Sequence, residues 1–272
     1  MVIKTSPVST ASDPSSVKTS HDSNTHSSSS LNIQQPLLAD RLQATVEVIL
    51  CSGFPTQLLL IFVLATIGWG PLDEDNKLSL SFISLLSILD TVLLVTLIRI
   101  FMYIRDESPH VMFLGSRLVK GEIKIGLFCI PIALLLVSVT LMTVQQLAPW
   151  LDNVLRNPLE DLMSGPLEIL LLIIVAVIAG GLREEIQRAF ILNRFEQYLG
   201  GGLIGLVVFS LVFGAGHVLQ GWDAAIATVV LGAGWGALYL ARRSIVAAVV
   251  SHSAFNILEI IHRVVTIEYG LQ

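Results

Sequence analysis

Three polar clusters interrupt the apolar C-terminal half of this 272-residue chain: Glu184-Glu185 with Arg188, Phe213-x-x-x-His217, and His252-x-x-x-Asn256. Residues four apart share one face of a helix, so Glu184 and Arg188, Phe213 and His217, and His252 and Asn256 each form a stripe. Carboxylates, imidazoles and amides are costly in hydrocarbon, and an intramembrane ionisable group is a functional-site hypothesis by default. The residue types suit hydrolysis. A glutamate beside a histidine in a low-dielectric cavity can hold and deprotonate a water. A second histidine with an asparagine supplies donors for a developing oxyanion. Alternatively, His217, His252 and Glu184 or Glu185 bind one divalent metal and leave a coordination position for water. A covalent serine route fits less well, because Ser251 and Ser253 flank His252 and adjacent helix residues point in different directions.

Helices that cross a bilayer must carry these side chains. Hydrophobic residues make up 53% of the chain and charged residues 14%, against roughly 25% charged in a soluble domain. The mean hydropathy is +0.76. A spanning helix needs about 20 mostly apolar residues, and seven stretches qualify: 45–70, 78–103, 122–146, 166–198, 202–219, 223–241 and 244–266. The expected fold is an all-α polytopic membrane bundle of about seven transmembrane helices. It divides into a polar tail (1–39), N-terminal transmembrane helices (40–160) and a C-terminal core (161–272). The tail is rich in Ser, Thr, Asn, Asp and Pro and too poor in apolar residues to offset ordering entropy, so it is expected to be disordered. It also lacks the pattern of a cleaved signal and is expected to be retained.

Charge sets the expected orientation. Arg99, Arg105, Arg117, Lys120 and Lys124 follow the second span, and Arg242 and Arg243 the sixth. Asp73, Glu74 and Asp75 lie between the first and second spans, and Asp152, Glu160 and Asp161 face a single Arg156 between the third and fourth. The positive-inside rule places the N-terminus in the cytoplasm and, with an odd number of spans, the C-terminus outside. Glu184, His217 and His252 then sit roughly 14–22 Å along their helices from the cytoplasmic ends, in a cavity expected to open to the cytoplasm. Cys51 and Cys129 read as small packed hydrophobes. Gly232-Ala233-Gly234-Trp235-Gly236-Ala237 reads as helix packing. Asp90, mid-span, is either a second polar site or a structural carboxyl. His262 and Arg263 read as interfacial. A net charge of -5 without a basic stripe argues against nucleic acid as a partner.

In this order, within apolar spans, the three motifs resemble the CAAX prenyl protease and bacteriocin-processing family of intramembrane endopeptidases (the CPBP or Abi group), over about residues 160–262. The resemblance implies peptide-bond hydrolysis in a membrane-associated substrate, prenylated or leader-bearing. By position it implies Glu184 and His217 as the water-activating pair, His252 and Asn256 as the oxyanion site, and Glu185, Arg188 and Phe213 in support. It leaves open a zinc ion held by Glu184, His217 and His252. The family pattern is Glu-Glu-x-x-x-Arg, whereas Arg188 stands one residue early here. The other register would keep Arg188 in place and put Arg183 where the first glutamate belongs. That displacement favours an alternative, a non-catalytic member acting as a membrane immunity or scaffold protein. A proton-relay transporter ranks third, since no internal repeat is evident. The pattern in a short chain without an organelle signal points to a bacterial cytoplasmic membrane.

Overall fold

The computed structural model describes residues 36–73, 75–154 and 158–269. The tail expected over 1–39 lies outside the described residues as far as Gln35, and Leu38 already opens the first helix. Nine α-helices follow among the described residues: α1 (Leu38–Leu50), α2 (Phe54–Thr66), α3 (Leu80–Ile104), α4 (Val119–Leu147), α5 (Pro166–Val175), α6 (Glu184–Tyr198), α7 (Gly202–Ala215), α8 (Trp222–Arg242) and α9 (Val246–Tyr269). A π-helical stretch, Ala176–Arg183, joins α5 to α6.

Four helices are long and apolar enough to cross a bilayer: α3, α4, α8 and the continuous run Pro166–Tyr198. The protein is an all-α polytopic membrane protein, as expected, but the count of seven is not reproduced. The predicted span 45–70 is two helices bent by 46°. Gly53, at φ +91°, turns the chain, and Pro55 in the first turn of α2 cannot donate a helical hydrogen bond back across the break. The pair adds a fifth crossing if counted as one bent span. The predicted span 202–219 stops at Ala215 as a 14-residue helix. The last, α9, has the length of a span but carries His252, Asn256, Glu259, His262 and Arg263, which lower its apolar character.

The apolar faces account for the packing. Leu94, Ile98 and Met102 of α3 meet Phe190, Ile191 and Phe195 of α6 and Phe209 and Phe213 of α7 in one buried cluster. Helix α9 lies between α4 and the π-helical stretch, and α8 against α4 and α7. On the outer face of α4, Leu127, Phe128, Leu135, Val139 and Met142 are exposed, the surface a bilayer would cover. Both cysteines are free, Cys51 buried in the first cluster and Cys129 half-buried.

Ion pairs gather at one end of the bundle, where α3, α6 and α8 finish and α4 and α9 begin. Glu47 of α1 is fully buried and binds Arg105 at 2.7 Å and Arg194. Arg194 also forks onto Glu107 at 2.6 and 2.7 Å. Nearby, Arg242 holds Glu122 at 2.6 Å and Arg243 holds Glu196. This is the end that carries the basic residues. Arg194→Ala removes the central cation of the buried pair, and unfolding of the detergent-solubilised protein should show a loss of about 3–5 kcal/mol.

Candidate active site

Glu184 and Glu185 follow directly on the π-helical stretch, which forms i→i+5 hydrogen bonds and a wider turn than an α-helix. Its Gly180 and Gly181 let α9 approach: a Cβ on Gly180 would meet the Asn256 amide, and one on Gly181 would fall 3.1 Å from Ser253 Cα. On the other side of α9, a Cβ on Gly126 of α4 would lie 2.7 Å from the Ala247 carbonyl oxygen. Small residues thus clamp α9 from both sides and fix the level of His252 and Asn256.

Four predicted residues, Glu184, His217, His252 and Asn256, line one cavity of about 260 Å³, with Phe213 on its wall. The fifth, Glu185, does not reach it. Its fully buried carboxylate accepts from Arg188 and lies 2.7 Å from His252 Nδ1. Glu184 retains some exposure, with Oε2 3.7 Å from His252 Nε2. The Glu-Glu pair is therefore split: one carboxylate is locked in the core, and the other faces open space.

Hydrogen bonds orient both histidines. His217 Nδ1 lies 2.9 Å from the Phe213 carbonyl oxygen. A carbonyl only accepts, so Nδ1 carries the proton and Nε2 of the neutral ring offers a lone pair. His252 Nδ1 likewise donates to the Glu185 carboxylate. Trp235 stacks on the His252 ring at 3.7 Å and 14°, and the Phe213 edge meets it at 6.4 Å. Asn256 donates one amide N–H to the Ala176 carbonyl oxygen at 3.3 Å and keeps a second.

The early Arg188 pairs with Glu185 at i,i+3, not with Glu184 at i,i+4. At 100° per residue both spacings fall on one face, and the His252 contact holds Glu185 on the side where Arg188 lies. The Arg188 guanidinium also faces Phe213 at 4.8 Å, Phe209 at 5.6 Å and Trp235 at 5.8 Å, an aromatic cage for a flat cation. Arg183, which the other register puts in the place of the first glutamate, lies 4.0 Å from Glu184 and pairs with the buried Asp90, which also accepts from Thr56 at 2.5 Å and Gln57 at 3.4 Å. Asp90 is thus a partnered carboxyl joining α2 and α3 to the foot of Glu184.

Three sequence expectations need correction or extension. The cavity does not open toward the basic end: Leu159, Met163 and Gln220, from the turns before α5 and before α8, line it at the opposite end. Arg263, read as interfacial, lines the cavity beside Glu259, 3.0 Å away. The ring of Trp235 is part of the site, although no fixed spacing singled it out from the glycine patch around it. That patch does serve packing, since a Cβ on Gly232 would lie 2.9 Å from the Phe213 ring. As to a metal, no group of three His, Cys, Asp or Glu side chains among the described residues is placed to hold an ion. The bonds of His217 Nδ1 to a carbonyl and of His252 Nδ1 to Glu185 leave both Nε2 atoms free, as in a metal-ligating histidine, but with Glu184 they are not gathered around one point.

Residues 166–258 match a family model described as Rce1-like, the type II CAAX prenyl endopeptidases. The C-terminal helices thus carry a domain of the CAAX protease family, embedded in an integral membrane protein. Comparisons with curated proteins and with solved structures gave no match.

If close approach of α9 sets the site, Gly181→Val should cost about 1–3 kcal/mol of stability by overpacking. Gly121→Val, where a Cβ meets nothing within 4 Å, should leave the unfolding midpoint near wild type.

Proposed function

We propose that the chain is an intramembrane endopeptidase that hydrolyses a peptide bond of a membrane-associated substrate, with a prenylated peptide as the first candidate. One observation carries this reading: Glu184, His217, His252 and Asn256, from three segments of the chain, line the same cavity. The family match over the same residues supports it.

The side chains supply every proton the reaction needs. A water held between the Glu184 carboxylate and His217 Nε2 gives one proton to Glu184 as its oxygen bonds to the scissile carbonyl carbon. The carbonyl oxygen becomes an oxyanion. Asn256 donates its remaining amide N–H to it, and His252 donates from Nε2 when doubly protonated, with Glu185 as counter-ion. Collapse of the tetrahedral intermediate breaks the C–N bond, and Glu184 passes its proton to the departing amine. No step requires a metal.

The scissile bond would lie in the cavity, with the substrate's apolar portion against Leu172, Leu231, Phe255 and Ile260. The basic end is assigned to the cytoplasm by the positive-inside rule, with α1 beginning on that side and α9 running away from it. The alternative, a non-catalytic immunity or scaffold protein, drew its support from the early Arg188; in the reading proposed here that arginine serves as the partner of Glu185.

In cleavage of a farnesylated CAAX peptide by the purified chain in vesicles, Glu184→Gln should lower turnover by about 10²–10⁴-fold at unchanged folding. Asn256→Ala should lower it by about 10²–10³-fold. Incubation with a chelator should leave wild-type turnover intact. Full activity of Glu184→Gln would end this mechanism, and loss of turnover to the chelator would require a metal in it.

A further inference from the structure

A second cavity, of about 100 Å³, lies behind the Glu184–His217 wall. Glu184, Phe213 and His217 line both cavities. The second reaches the other way, toward the α1–α2 break, where Ser52 and Gln57 form its outer lip and Arg183, Gln187 and Val212 its walls. The site is thus approached from two directions by spaces of different character. The larger is mostly apolar; the smaller carries a guanidinium, two carboxamides and a hydroxyl in an otherwise apolar bundle.

We propose that the smaller cavity is the route and store for the hydrolytic water, separate from the substrate cavity. This inference rests on the hydrolytic reading above. A substrate filling the larger cavity closes that approach to solvent, so the water consumed in each turnover needs another way in. The volume admits a few water molecules and is too small for a peptide segment.

Polar groups there need such a partner. Arg183 is more than nine-tenths buried, and its Nε–H has no hydrogen-bond partner among the described residues, a state that costs free energy unless water satisfies it. Gln187 spends its Nε2 on the Cys51 carbonyl oxygen at 2.7 Å, which pins the lip to α6. At the break itself, a Cβ on Gly53 would lie 3.3 Å from both Arg183 Nη2 and Gln187 Nε2. Glycine keeps the passage clear as well as turning the chain. Water arriving here meets the Glu184 carboxylate and His217, the two groups that accept its proton and its hydrogen bond in the proposed reaction.

Ser52→Cys and Val212→Cys, each in the full chain in sealed and permeabilised vesicles, report on the route. The probe is methanethiosulfonate ethylsulfonate, an anionic reagent that dissolves in water and does not cross lipid. Wild type supplies the background from Cys51 and Cys129, and Leu58→Cys, 65% exposed on the apolar α2, supplies the lipid-facing reference. Both route cysteines should react severalfold faster than the reference. Labelled Ser52→Cys should then show a severalfold lower kcat on the farnesylated CAAX peptide, with KM unchanged. Labelling no faster than the reference, or full kcat after labelling, would overturn the proposal. The labelling arm needs no substrate, and Ser52 sits at a surface lip, so it decides even if Val212→Cys does not fold. Activity retained in Glu184→Gln would instead defeat the hydrolytic reading, whatever the labelling shows.

Discussion

The carboxylate of Glu185, buried between the Arg188 guanidinium and His252 Nδ1, is the interaction on which the site depends. A charge so deep in an apolar bundle is tolerable only when paired and hydrogen-bonded. Both partners are themselves enclosed. Phe209, Phe213 and Trp235 face Arg188, and Trp235 stacks on His252. One carboxylate therefore joins α6 to α9, fixes the His252 tautomer, and leaves Nε2 of that ring turned toward Glu184. The two adjacent glutamates thus have different environments: Glu185 holds Arg188 in the core, and Glu184 lies 4.0 Å from Arg183 at the cavity.

Helix α9 can present His252 and Asn256 only because small residues let it come close on two sides. Gly126 receives it from α4, and Gly180 and Gly181 receive it from the π-helical stretch. The ion-pair network of Glu47, Arg105, Glu107 and Arg194 holds the first helix to the far end of the same α6 that carries the glutamates. Polar contacts thus anchor one end of the bundle, while the cavity occupies the other.

Much of this was legible in the sequence, for a physical reason. A polar residue in an apolar span has few places to go, so Glu184, His217, His252 and Asn256 announced themselves, and all four line one cavity. The all-α membrane character followed from hydropathy alone. What failed was continuity. Residues 45–70 read as one apolar run although Gly53 and Pro55 break it, and 202–219 read as a span although the helix ends at Ala215. The Arg188 pairing was ambiguous because i,i+3 and i,i+4 share a face, and only the position of His252 decides between them. Trp235 stayed hidden because an aromatic ring among glycines in an apolar span looks the same whether it packs on a leucine or on the His252 imidazole. The direction in which the cavity opens depends on turns such as Leu159 and Gln220, whose placement no periodicity encodes.

The π-helical stretch has a consequence for how this site tolerates change in its own length. Each i→i+5 turn holds one residue more than the α-helix that would replace it. Losing a residue between Ala176 and Arg183 could be absorbed by relaxing a π turn to an α turn, with α5 and α6 still in place. The loss would move every following residue by about 100° around the axis unless such slack took it up, and Glu184 would leave the cavity. The stretch therefore works as an angular vernier: its wide turns take up a change in residue count while Glu184 still looks into the cavity and Glu185 into the core.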